Sequence, residues 1–243
     1  MRTPLHIPEI VFPELDIYHI RTRIIIETQG RIEPNGNISL SFAISPFDVQ
    51  KELEMVRELY KDIGLQLQID QVVYQPPNTL DQNIRDAVKY KNWLSIYYLQ
   101  SMADHAGIAS CPWAENILPA GVYIYSNHYD WTLAHEIGHY FGLGHTFAED
   151  YVSDTPEQLQ KTCDREPDVR PNCHNIMNYC THDPKTVTRE QLIRMKRFMR
   201  SLKRRNHVIL EPQPPVVIPA TTMHFIGNGL PHGPTSENHP AEF

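Results

Sequence analysis

The sequence predicts an α/β (α+β) chain: a twisted mixed sheet backed by one helix, a histidine-bearing helix above it, then an irregular region and a last amphipathic helix. Three observations carry this. Short β-type apolar segments recur up to about residue 126. Helical spacing of apolar residues interrupts them once, over 45–63, and returns over 188–206. Residues 146–187 hold few periodic signals of either kind. With 243 residues, 41% hydrophobic and 21% charged, the composition is that of a globular chain long enough to bury a core.

The elements follow in order. "DIYHIRTRIIIETQG" (16–30) and "NISLSFAIS" (37–45) read as β segments around the turn signal "EPNGN". Ser45 opens a helix in which Val49, Leu53, Val56, Tyr60 and Ile63 recur at helical intervals, and Gly64 ends it. "LQLQIDQVVY" (65–74) alternates as a strand does, and Pro76, Pro77 and Asn78 follow as a loop. "NWLSIYYLQSM" (92–102) is expected as a buried strand, "AGIASCPW" (106–113) as a short edge strand and "AGVYIYS" (120–126) as another strand. Asp130 is expected to cap the helix that carries the histidines. Thr188 and Gln191 form a capping box for the last helix, whose apolar set is Leu192, Met195, Phe198, Met199 and Leu202. From about Glu211 the chain has seven prolines and no periodicity. Residues 1–210 are therefore expected to form one domain and 211–243 a proline-rich tail.

Charge and composition exclude some functions. A net charge of −7 argues against a general nucleic-acid binder, and the eight Arg or Lys over 188–206 read as a solvated helix face. No stretch approaches the roughly 20 apolar residues needed to cross a bilayer, so no membrane association is expected. The start, broken by prolines and acids, shows no signal peptide. Cys163, Cys173 and Cys180 cluster while Cys111 stands alone, a pattern that suits one disulfide or reduced thiols equally well.

The chemistry concentrates in "HEIGHYFGLGH" (135–145). On a helix, His135 and His139 are four apart and can hold one zinc ion between them, with Glu136 close enough to reach a water on it. Gly142 lets the chain leave the helix through a conformation costly for other residues and swings His145 round as a third ligand. Three imidazoles leave one position open on a tetrahedral ion, the arrangement of a catalytic rather than a closed structural zinc. The remaining histidines, His128, His174 and His182 among them, lack ligand spacing and are expected at the surface.

That motif, with "NIMNY" (175–179) downstream, resembles the metzincin zinc peptidases. "HTF" (145–147), "EDYVSDTP" (149–156) and "TREQLIRM" (188–195) make the likeness specific to the pappalysin family and its ulilysin-like members, over about residues 90–200. The resemblance implies a metzincin-like catalytic domain and hydrolysis of peptide bonds by a zinc-bound water, with Glu136 as general base. It implies Met177 as the Met-turn residue, an apolar floor beneath the metal. Tyr179 is implied as a stabiliser of the developing oxyanion, against the plainer reading of a packed core tyrosine. Gly107, Ile108 and Ala109 would bind extended substrate through the backbone. Asp183 would accept a basic side chain after the scissile bond, or else start the turn before Pro184. Asp154 and Thr155 either hold Ca²⁺, as the family likeness implies, or simply turn a loop. The partner implied is a peptide or protein substrate. With no cysteine-switch propeptide visible, latency would rest on export, a narrow substrate or a separate inhibitor, and a secreted or exported effector is slightly favoured over a cytoplasmic one. The alternative is a catalytically silent zinc-site scaffold or binding module, and retention of Glu136 speaks against it.

Overall fold

The structure is a computed structural model that describes residues 17–77, 90, 92–101, 104–110, 120–148, 150–156, 172–179, 185–204 and 209–210. The expected tail, Cys111, Cys163, Cys180, His182 and Asp183 lie outside the described residues.

The spine is β1 (Tyr18–Ile32). Its first two-thirds run parallel to β3 (Leu65–Gln75) on one side and to β4 (Leu94–Leu99) on the other. Its last five residues fold back antiparallel onto β2 (Ile38–Phe42), through the turn with Gly36 at φ 82°. β6 (Gly121–Tyr125) adds parallel to β4, and β5 (Gly107–Ser110) closes the row antiparallel to β6. A two-residue β7 (Ile209–Leu210) pairs with His19 and Ile20. The mixed sheet matches the sequence expectation.

Both faces of the sheet's centre are covered, which explains the unbroken apolar run Ile24–Ile25–Ile26. Ile20, Ile24, Ile26, Leu94, Ile96 and Tyr98 face the main core. Ile25, Tyr97 and Tyr123 form a smaller cluster on the other face, where the two tyrosine rings stack at 4.7 Å. Helix α1 (Pro46–Tyr60) packs on the main-core side, with the Ser45 side chain accepting from the Asp48 N–H at 3.1 Å as its N-cap. A 3-10 turn and Gly64 at φ 71° end it, as expected.

Helix α2 (Thr132–Tyr140) carries the histidines and is buried nearly all round, with Leu133, Ala134, Ile137 and Tyr140 at 1% exposure or less. Each such side chain contributes roughly 1.5–3 kcal/mol of burial where it is large and apolar. Asp130 does not cap it. The chain arrives through a turn in which Thr132 N–H donates to the Tyr129 carbonyl and Tyr129 N–H to the Thr132 hydroxyl, while Asp130 points out to pair with Lys51 on α1. Helix α3 (Arg189–Arg204) begins with the expected capping box, Gln191 N–H to the Thr188 hydroxyl and Thr188 N–H to the Gln191 side chain. Met195, Met199 and Leu202 are its buried stripe.

Candidate metal centre and its cleft

The local chain geometry brings three histidines together. His135 and His139 lie one turn apart on α2. Gly142, at φ 93°, then closes a Schellman end in which Gly142 N–H meets the His139 carbonyl and Leu143 N–H the Gly138 carbonyl. A Cβ at Gly142 would also stand 3.2 Å from the Phe198 ring, which would have to give by a few tenths of an ångström, so the neighbour adds to the backbone's preference for glycine. The reversal returns His145, and the Nε2 atoms of His135 and His145 each stand 3.0 Å from that of His139.

The tautomers follow from the opposite ring atoms. Nδ1 of His135 donates to the Ile176 carbonyl at 2.6 Å and Nδ1 of His139 to the Leu143 carbonyl at 2.8 Å. Both Nε2 atoms therefore present lone pairs to the same small space. Burial and the neighbouring His139 hold His135 well below its ordinary pKa, so it stays neutral and able to ligate. Converging lone pairs of this kind repel unless a cation shares them, and zinc is bound by such imidazole sets. The residues fit the metal.

The floor beneath the histidines is the turn around Met177, fully buried. Its sulfur packs so tightly under α2 that a Cβ on Gly138 would come within 2.5 Å of it. The Tyr60 hydroxyl donates to the Ala134 carbonyl at 2.8 Å, bracing the same helix from α1. Thr146 N–H donates to the Met177 carbonyl, and the Asn178 amide to the Thr146 hydroxyl, tying the turn to the chain after His145.

Glu136 is 5% exposed and points toward β5. Burial pushes its pKa up to about 8, against the Ala109 N–H, which donates to the carboxylate and pulls it down. Gly107 allows this approach, since a Cβ there would strike Glu136 Cγ at 2.8 Å and Thr132 Cγ2 at 2.9 Å. Tyr179 is 43% exposed and lies against the His145 ring at 4.7 Å, which removes the core-tyrosine reading. Burial and the Glu136 charge raise its pKa, keeping the phenol protonated. These groups share one open cleft of about 1020 Å³, with Gly107, Ile108 and Ala109 on one wall, Tyr129 and Trp131 at the start of α2, and Gly142, Tyr151, Arg194 and Phe198 at its end.

Asp154 and Thr155 are brought elsewhere. Asp154 accepts from the Thr188 hydroxyl at 2.6 Å and the Glu190 N–H at 2.8 Å, adding a second cap to α3, while Thr155 donates to Asp150. A calcium ion there would compete with these bonds.

Three positions were missed by spacing arguments. His128 is not a surface residue: its ring bridges the Tyr125 carbonyl and the buried Glu52 carboxylate, both at 2.7 Å. Lys185 is 9% exposed, with its ammonium 4.2 Å from the Trp131 ring and its charge felt by His135. Arg194 leaves the solvated face of α3 and lines the cleft. Only Arg194 had a signal, since Phe198 one turn on belongs to the buried set.

Residues 79–190 match Reprolysin_5, described as metallo-peptidase family M12. An extracellular metalloprotease of Aspergillus fumigatus is 36% identical over 91 residues, which take in 30% of this chain and 28% of that protein. One of Neurospora crassa is 43% identical over 63 residues, 20% of this chain and 22% of that protein. The chain thus matches less than a third of the length of these curated relatives. Mature mirolysin of Tannerella forsythia, solved with a cleaved peptide, aligns with a TM-score of 0.55 over 78% of this chain and 98% of that one. At 14% identity the likeness is one of fold, and it matches the expected metzincin-like architecture.

Proposed function

We propose that the chain is a zinc-dependent endopeptidase in which His135, His139 and His145 hold the metal, Glu136 is the general base and Tyr179 stabilises the developing oxyanion. The observation that carries this reading is the convergence of three imidazole Nε2 atoms beside a buried carboxylate in an open cleft. A bound zinc supplies a Lewis acid that polarises the scissile carbonyl and acidifies water. Glu136 takes a proton from the attacking water and hands it to the leaving amine, and burial raises the proton affinity of its carboxylate for that task. The Ala109 N–H keeps the carboxylate aimed across the cleft. Tyr179, protonated and half-exposed beside His145, donates a hydrogen bond where charge builds on the carbonyl oxygen.

An extended peptide laid along Gly107–Ala109 would add a strand to the sheet edge and lie across the histidines. Asp183 favours a basic side chain after the scissile bond, as the pappalysin resemblance implies; a cleavage profile unchanged by Asp183→Ala would remove that preference. The names of the curated relatives support action outside the cell. Metal analysis tests the centre: purified protein should carry one zinc per chain, and His139→Ala should lose most of it. Full occupancy in that variant would contradict the ligand set.

A further inference from the structure

We infer that Arg194 is a specificity-determining residue of the proposed peptidase, a cationic contact at the α2 C-terminal end of the cleft that binds a carboxylate of the peptide. The inference rests on the function proposed above.

Arg194 is half-buried and lines the cleft together with Tyr151 and Phe198. Two contacts fix it. Its Nε donates to the Gly142 carbonyl at 2.6 Å, and its Cζ lies 4.2 Å from the centre of the Tyr151 ring. A guanidinium held along one edge and over one face has lost most of its freedom, so little further entropy is lost when a ligand binds it. Its two Nη groups carry no hydrogen bond to a described residue, and among the described residues no carboxylate pairs with it. Glu190, one helical turn earlier, is turned to Ser153 instead, whose N–H and hydroxyl donate to its oxygens. The other charged groups lining the cleft are Asp104 and Glu136, and neither forms an ion pair with Arg194. Among the described residues, Arg194 thus brings an unpaired guanidinium to the lining of a peptide-sized cleft, and the chemical complement of its N–H fork is a carboxylate bound through two parallel hydrogen bonds.

Two parts of a peptide could supply that group, an acidic side chain or the C-terminal carboxylate. Peptides carrying Glu or Gln at each position in turn, and free-acid or amidated C-termini, separate them. With wild-type enzyme one of these substitutions should change kcat/KM by about tenfold in favour of the carboxylate. The ratio should fall toward one in Arg194→Gln and lie between in Arg194→Lys, which keeps the charge but loses the fork. Ratios taken within one variant cancel any general loss caused by freeing the Gly142 carbonyl. Ratios near one for every pair in the wild type overturn the inference, whatever the variants do, and so does a ratio unchanged in Arg194→Gln. Failure of wild-type enzyme to cut any peptide overturns the proposed function itself, and this contact with it.

Discussion

At the scale of single residues, the site is built from atoms whose alternatives have been removed. Nδ1 of His135 and of His139 is spent on backbone carbonyls, so only Nε2 of each is left for a metal. Tyr179 shows how exposure bears on a role: a ring 43% exposed and packed on His145 does not fill a core, and its proposed part is on the substrate. Tyr179→Phe should therefore lower kcat by roughly ten- to a hundredfold with little change in KM, because an oxyanion donor acts mainly in the transition state. Steady-state kinetics on one good peptide would show it, and a wild-type kcat would leave the tyrosine no catalytic part. The proposed ligands, Glu136 and Gly142 were legible because fixed offsets on a helix and its exit encode them, and Met177 through the family resemblance of "NIMNY". Lys185 was not, because a cation alone in an aperiodic loop gives no hint of which way it turns, and the signal for Arg194, its place one turn before Phe198, is hidden among the eight cations of a basic helix.

At the scale of elements, α2 depends on its neighbours. It lacks a side-chain cap, and its entry loop is braced instead by the buried cluster of Glu52 on α1, Tyr98 on β4 and His128. Burial pulls the His128 imidazole down, but the hydrogen bond and charge of Glu52 outweigh it, and its pKa sits above the ordinary value. Burial likewise holds Glu52 above the usual carboxylate range. A histidine that binds its proton more tightly when folded stabilises fully below about pH 6.5, its unfolded value, and loses that stabilisation as pH rises through the folded one. Glu52→Gln removes the charge and leaves burial to disfavour the imidazolium, which reverses the slope. Denaturant unfolding should find the variant about 2 kcal/mol less stable at pH 6, with the gap closing by pH 9. A gap independent of pH would mean that the pair is neutral throughout. Glu52 occupies a helix position that spacing arguments leave beside the apolar stripe, and a buried ion pair has no periodic signature. The longer strands and both amphipathic helices do have one, which is why each was read in its place, with ends off by up to about three residues, whereas the two-residue β7 was not read. The Asp130 cap was misjudged because a turn supplied by Tyr129 and Thr132 does the same work.

At the scale of the whole molecule, the sheet and α1 hold α2 against the Met177 turn, and α3 packs Met195, Met199 and Leu202 into the same core. β7 pairs with β1 at residues 209–210, so a chain ending there keeps every described element. That truncation should unfold in one cooperative transition at the temperature of the full chain; a broad or lowered transition would make the 211–243 segment part of the domain. The central claim is that this scaffold turns three histidines and a buried glutamate into a peptidase. Its most direct measurement is digestion of a peptide library by zinc-loaded wild-type protein beside zinc-loaded Glu136→Ala, read by mass spectrometry. The account predicts cleavage by the wild type and a rate on the order of 10²–10⁴ lower in the variant at equal zinc content. Equal cleavage by both, or none by the wild type, would contradict it.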